Sequence, residues 1–351
     1  MRNGINISNI SEFVHEVQQN PAEADLRYGI RLRSRGDRLA NVETRTMRAG
    51  TIVVPRDFSF SGWVGASEPQ RQDPSAMEIL LAAMGGCVLM TFIYGASSKG
   101  MILTGLSAEM RAQAAQGVPT FRWTLDVAAD GSDEQLADLA QQVTNRSPNH
   151  RSLAEENTLL FNVSISANDG LECWEFVEKA SGSALDVPET TAHVRWDYGT
   201  QLTAIVPMSH SASRECQLAI DVPKQYLGID KAPNPQEYLL GALATDLATQ
   251  FRRLSQREGI VVDEFAADVF TRVDIRGVLN VSPEARVAIH GTTVDLRVTV
   301  SDTLSRAKQL VDEAIASSVV RSLICNCNCI AVAVQREGRP LREFETKIAR
   351  S

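Results

Sequence analysis

Two stretches of the 351-residue chain hold the side chains best suited to chemistry. "PSAMEILLAAMGGCVLM" sets Cys87 behind a Gly-Gly pair in a long apolar run, and "PNPQEYLLGALATDLAT" repeats the pattern with Asp246 in the place of the thiol. A cysteine so placed is a nucleophile where a helix end or a cation lowers its pKa, or else a small apolar filler, a common role for free thiols. A carboxylate in the same place is costly unless something pairs with it. Asp246 is therefore expected to pair with an arginine, Arg38 or Arg35 of "RSRGDRL", or to act as an acid/base residue.

Further candidates flank these two. "SPNHRSL" puts His150 shortly after Ser147, and a Cys87/His150 pair would suit nucleophilic catalysis. The plainer reading is a surface histidine near a helix C-terminus, where the dipole favours a cation. Glu78 and Glu237 are first-turn acids that suit the dipoles of the two apolar helices. "CNCNC" at 325–329, if a strand, places Cys325, Cys327 and Cys329 on one face roughly 6.5–7 Å apart. Such a row could ligate a soft metal or resolve an oxidised Cys87; the alternative is small buried residues of a closing strand. No Cys-x-x-Cys or histidine cluster completes the metal site, and no phosphate loop or dinucleotide fingerprint is present, so no cofactor is expected.

The elements that must position these residues follow from the wider pattern. The chain is 44% hydrophobic with a net charge of −8, which suits a protein with sizeable cores and argues against a nucleic-acid partner. The N-terminal residues lack a signal-peptide core, so a cytoplasmic location with reduced thiols is expected for the six cysteines. "ILLAAMGGCVLMTFIYGA" is long enough for a short membrane span, but its sister stretch carries Asp246, Arg252 and Arg253. Both are better read as buried central helices, with no membrane partner.

Self-comparison shows an internal repeat. "EFVHEV" from Glu12 answers "EFVEKA" from Glu175; the apolar helices follow, then "SKGMILTGLSAEM" and "REGIVVDEFAADV", then "SPNHRSL" and "SSVVRSL", which pairs Ser147 with Ser317. Each copy reads as a short N-terminal helix, strands, the long apolar helix capped by Ser75 or Asn234, two strands, an amphipathic helix and a last strand. That order makes an α+β module, with copies over 1–166 and 167–351.

These motifs resemble the OsmC family, which includes the organic hydroperoxide resistance proteins. The match lies in "DPSAMEILLAAMGGC" with "KGMILTGLSAEM", and in "APNPQEYLLGALA" with "DIRGVLNVSPEARV". The resemblance implies two modules fused as an intrachain pseudo-dimer, with sheets wrapped around central helices and N-terminal strands exchanged. It also implies a thiol-dependent enzyme, peroxidase-like, in which Cys87 attacks a small hydrophobic electrophile such as an organic hydroperoxide and a thiol reductant restores it. Alternatives are a Cys-dependent enzyme recruited to a biosynthetic pathway and a non-catalytic binder of a small hydrophobe. In the family a second cysteine resolves the first; Ser147 stands there, and a hydroxyl cannot form the disulfide. The family's arginine and glutamate fall on Arg35 or Arg38 and near Glu78. The fused pair would act as a monomer or assemble as a homodimer.

Overall fold

The computed structural model describes residues 1–34, 39–65, 71, 73–115, 118–180, 187–207 and 215–346. The first copy comprises α1 (Ile7–Gln19), β1 (Asp25–Ser34), β2 (Leu39–Thr44), β3 (Met47–Ala49), β4 (Ile52–Val54), β5 (Ser59–Trp63), α2 (Ala76–Ser98), β6 (Leu103–Ala115), β7 (Val118–Ala129), α3 (Asp133–Arg146), α4 (Pro148–Ala154), β8 (Leu159–Ala167) and β9 (Gly170–Glu178). The second comprises β10 (Thr190–Tyr198), β11 (Gln201–Pro207), β12 (Glu215–Ile220), α5 (Pro235–Glu258), β13 (Val262–Asp274), α6 (Ile275–Val278), β14 (His290–Val300), α7 (Leu304–Ala316), α8 (Val319–Cys325), β15 (Cys329–Arg336) and β16 (Arg339–Thr346). The protein is α+β, with the two modules in tandem.

Neither copy builds a sheet of its own. One sheet runs β4-β3-β1-β13-β14-β8-β9, with β2 and β5 branching from β1, and the other runs β12-β11-β10-β6-β7-β15-β16. The N-terminal strands are exchanged as expected: β1 lies antiparallel to β13 of the other copy, and β10 to β6. The closing strands are exchanged too, β8 running parallel to β14 and β15 parallel to β7. Each sheet thus interleaves strands of both copies, and every inter-copy ladder satisfies backbone groups that a separated copy would leave open.

Two features differ from the sequence reading. The segment at Glu175 is not a helix but part of β9, where alternating side chains are half-buried and Phe176 stacks on Phe161 with centroids 5.2 Å apart. Period-two burial suits a strand, whereas Ile10 and Val17 in α1 repeat at helical spacing. An N-terminal helix therefore belongs to the first copy alone among the described residues. The expected boundary at 166/167 falls at the end of β8, just before the turn at 168–169, and β9 pairs with β8 as β16 pairs with β15.

The central helices α2 and α5 pack against each other between the sheets. Both start with the same device: Ser75 and Asn234 accept from the backbone N–H of Glu78 and Glu237, whose side chains accept the cap residue's own N–H. α2 is apolar and long enough to cross a membrane, but 94% of its most apolar stretch is buried inside the protein. Its Gly-Gly pair lets strands of the second copy approach. A Cβ on Gly86 would lie 2.8 Å from Ile220 Cδ1, and one on Gly85 2.6 Å from Val194 Cγ2. On the other side the sizes are reversed: Thr245 of α5 meets Gly62 of β5, where an added Cβ would lie 2.5 Å from the threonine Oγ1.

Candidate active site between the two copies

Cys87 sits in the middle of α2 and is 3% exposed. Its Sγ accepts from the backbone N–H of Asn149 at 3.4 Å and from Gln236 Nε2 at 3.5 Å. Asn149, wholly buried in the first turn of α4, ties three elements together: its Nδ2 donates to the carbonyls of Ala83 and Pro235, both at 2.9 Å, while its Oδ1 faces Gln236 Nε2 at 3.4 Å. The thiol is thus held at the point where α2, α4 and the start of α5 meet. Burial pushes its pKa up to about 11; the Ser147 hydroxyl, the Asn149 N–H and the Gln236 amide pull the other way by favouring the thiolate. The Ser147 hydroxyl makes no hydrogen bond of ordinary geometry, so its influence on the sulfur comes from proximity.

A narrow apolar cavity of about 20 Å³ opens beside the sulfur. The first copy contributes Leu26, Tyr28 and Tyr94 to its wall, and the second contributes Tyr226, Gln236 and Val273. Tyr28 also feels the charges of Glu237 and Arg56, which places a buried ion pair in the electrostatic neighbourhood of the thiol. Arg56 of the first copy grips Glu237 of the second with two bonds, 2.9 and 2.8 Å, and also pairs with Asp230. Arg71 grips Glu78 in the same bidentate manner, its Nη2 donating at 2.7 Å. The two first-turn acids therefore do more than suit the helix dipole: each is locked by a buried guanidinium.

Asp246 occupies the matching seat in the second copy. Its Oδ2 accepts from Ser318 Oγ at 2.7 Å and from the N–H of Val320 at 2.8 Å, and its Oδ1 from Gln250 Nε2 at 3.2 Å. Burial raises the carboxyl pKa against these donors. The expected arginine partner is absent among the described residues; the carboxylate caps the start of α8 instead, and Arg35 and Arg38 lie outside the described residues. The residue answering Ser147 is Ser318, which caps α8, one place beyond Ser317.

His150 is neither on the surface nor a base for Cys87. It is fully buried in α4, and both ring nitrogens are engaged: Trp123 Nε1 donates to Nδ1 at 3.1 Å, and Nε2 lies 3.1 Å from Thr346 Oγ1. Accepting at Nδ1 leaves Nε2 as the protonated nitrogen. Burial, aided by the Arg151 charge, drops its pKa to about 3, so the ring is neutral. The cysteine row is also broken up. Cys325 ends α8 and is buried, Cys327 lies in the following loop with its Sγ 2.9 Å from the Ala154 carbonyl, and only Cys329 starts a strand. Among the described residues no three His, Cys, Asp or Glu side chains form a metal-binding group.

Sequence reasoning missed Asn149, Gln236, Arg56 and Arg71. Asn149 and Gln236 stood inside the quoted motifs, where an amide in a buried helix start was the available signal; the arginines lie in loops and reveal their partners only in three dimensions. A profile of the OsmC-like protein family matches residues 69–161 and 228–332, more than half of the chain and once in each copy. The chain belongs to the OsmC-like family, as a tandem two-copy member. No curated protein matches it at a significant level.

Proposed function

We propose that the protein is a thiol-dependent, peroxidase-like enzyme in which Cys87 attacks a small hydrophobic electrophile such as an organic hydroperoxide. The observation that carries this reading is the seat of Cys87: a lone sulfur facing the Asn149 N–H and the Gln236 amide at the end of an apolar cavity built by both copies. An apolar wall with a few convergent polar groups is the usual form of a small-molecule site.

A sulfur electron pair attacks one peroxide oxygen, the O–O bond breaks, and the leaving alkoxide takes the thiol proton, giving an alcohol and a sulfenic acid. The sulfur loses two electrons and the O–O bond gains them. The Asn149 N–H and Gln236 amide favour the negative sulfur as its proton leaves. Two equivalents of an external thiol then return the sulfenic acid to the thiol, releasing a disulfide and water, because Ser147 offers no sulfur for an internal bond.

A second reading, a non-catalytic binder of a small hydrophobe, draws on the thiol itself. Burial pushes its pKa up to about 11, so the protonated thiol dominates at neutral pH in the free protein. One experiment separates the two. The protein is treated with tert-butyl hydroperoxide, sulfenic acid is trapped with a 1,3-dione and located by mass spectrometry, and peroxide consumption is followed with a dithiol present. An adduct on Cys87 and turnover abolished by Cys87→Ser support the enzyme. No adduct, with Cys87 alkylated no faster than a free thiol from pH 7 to 9, leaves the binder.

A further inference from the structure

The space beside Cys87 continues beyond its cavity. Thr91, Tyr94, Tyr226 and Val278 line that cavity and also line a second, larger groove of about 560 Å³, a volume typical of small-molecule pockets. Tyr94 and Tyr226 stand between the two spaces, their rings 5.4 Å apart and the Tyr94 hydroxyl donating to the Tyr226 carbonyl at 2.7 Å. The groove runs under α1, whose Ile10 and Val14 form one side, and along α3, whose Leu139 and Val143 form the other. Phe13 of α1 rests against Tyr226, with centroids 6.1 Å apart. The N-terminal helix, found among the described residues only in the first copy, thus roofs the passage to the only central-helix thiol.

This groove is not apolar throughout. Arg146, the last residue of α3, lines it together with Lys99 at the end of α2. Arg146 is partly buried, yet among the described residues its side chain has no hydrogen bond and no ion pair, whereas Arg56, Arg71, Arg151, Arg321 and Arg336 each hold a carboxylate. Desolvation lowers its pKa with no carboxylate to compensate. A half-buried guanidinium without a counter-charge, at the edge of an apolar groove, is a ready partner for an anion. Its place at a helix C-terminus gives it some favourable field but satisfies none of its donors.

We propose that the groove binds an amphipathic carboxylate, with Arg146 as the specificity-determining residue. The carboxylate pairs with Arg146, Lys99 adds positive potential behind it, the hydrocarbon chain lies between α1 and α3, and the far end passes Tyr94 and Tyr226 toward Cys87. Only the last clause rests on the reading of Cys87 as the reacting centre.

Binding is therefore measured first in Cys87→Ser protein, which separates the groove from thiol chemistry. Calorimetric titration with decanoate is compared with decanol, a neutral molecule of equal chain length. Decanoate is expected to bind about tenfold more tightly or better, the order of one charge-assisted hydrogen bond. Arg146→Gln should remove that advantage and leave decanol unchanged, and Arg146→Lys should keep part of it. Equal affinity for the acid and the alcohol, or decanoate binding indifferent to Arg146→Gln in a variant that melts like the parent, overturns the proposal. In wild-type protein decanoate should slow iodoacetamide labelling of Cys87 several-fold. Arg146-dependent binding without that protection would sever the groove from the thiol. Failure of Cys87 to react with peroxide would count against the proposed activity while leaving the titration intact.

Discussion

Cys87 and Asp246 hold equivalent places on α2 and α5, and both face the start of a short helix, α4 or α8, that follows the amphipathic helix of its copy. Asp246 fills its seat completely: Ser318, Val320 and Gln250 all donate to its two oxygens. Cys87 fills the same seat with a weaker acceptor at longer range, 3.4 Å from the Asn149 N–H, and a cavity opens beside it. A carboxylate pins the second copy shut; a thiol leaves the first copy with polar hydrogens and room to spare. The difference shows how one fold can use a single position as a clamp in one half and as a candidate reaction centre in the other.

The contrast breaks most visibly at the buried ion pairs. Arg56 and Glu237 have wholly inaccessible side chains and come from different copies, so Arg56→Met strands a buried carboxylate. A loss of about 3–5 kcal/mol is expected in urea unfolding of the full chain. A loss below about 1 kcal/mol would mean that the pair does not clamp the copies together.

Next comes the seat itself. Asp246→Ala leaves the Val320 N–H and the Ser318 hydroxyl without their acceptor, and about 2–4 kcal/mol should be lost. Cys87→Ala forfeits only weak sulfur acceptance and a little volume, about 1 kcal/mol. Equal losses in parallel denaturant melts would erase the distinction between clamp and reaction centre.

A gentler test compares the third residues of the short helices, neutral His150 in α4 and charged Arg321 in α8, which pairs with Glu178 at 2.6 Å. The folded state refuses a proton at His150 until pH about 3, while the unfolded chain accepts one near 6.5. Stability from this site is complete above pH 6.5 and falls as the pH drops through that window toward 3, by at most about 1.4 kcal/mol per unit. His150→Gln should flatten this acid limb in melting curves taken from pH 7 to 4. An unchanged limb would mean that His150 is protonated in the native state.

Much of this architecture could be read from the chain because its signals are local. The doubled apolar helix, the Ser75 and Asn234 caps, the Ser132 cap of α3 and the strand "LLFNVSISA" are written in adjacent residues. β9 is not legible in this way because the letters "EFV" recur in a helix and a strand, and the period of burial, not the identity of residues, decides between them. Gln250, one helical turn beyond Asp246, is the exception; the other partners of Cys87 and Asp246 lie dozens of residues away, and the arginines that lock Glu78 and Glu237 sit in loops, so no spacing rule connects them. The "CNCNC" row lost its common face because a helix end, a loop and a strand start divide it.

The reversed sizes at the two helix–strand seams bear on ancestry and assembly. Pairing two first copies would set Gly62 opposite Gly86 and leave a void; pairing two second copies would drive Ile220 into Thr245. Mismatches of this kind act like keyed plugs. They make the halves obligate complements, no longer able to form the symmetric partnerships from which a duplicated gene would have begun.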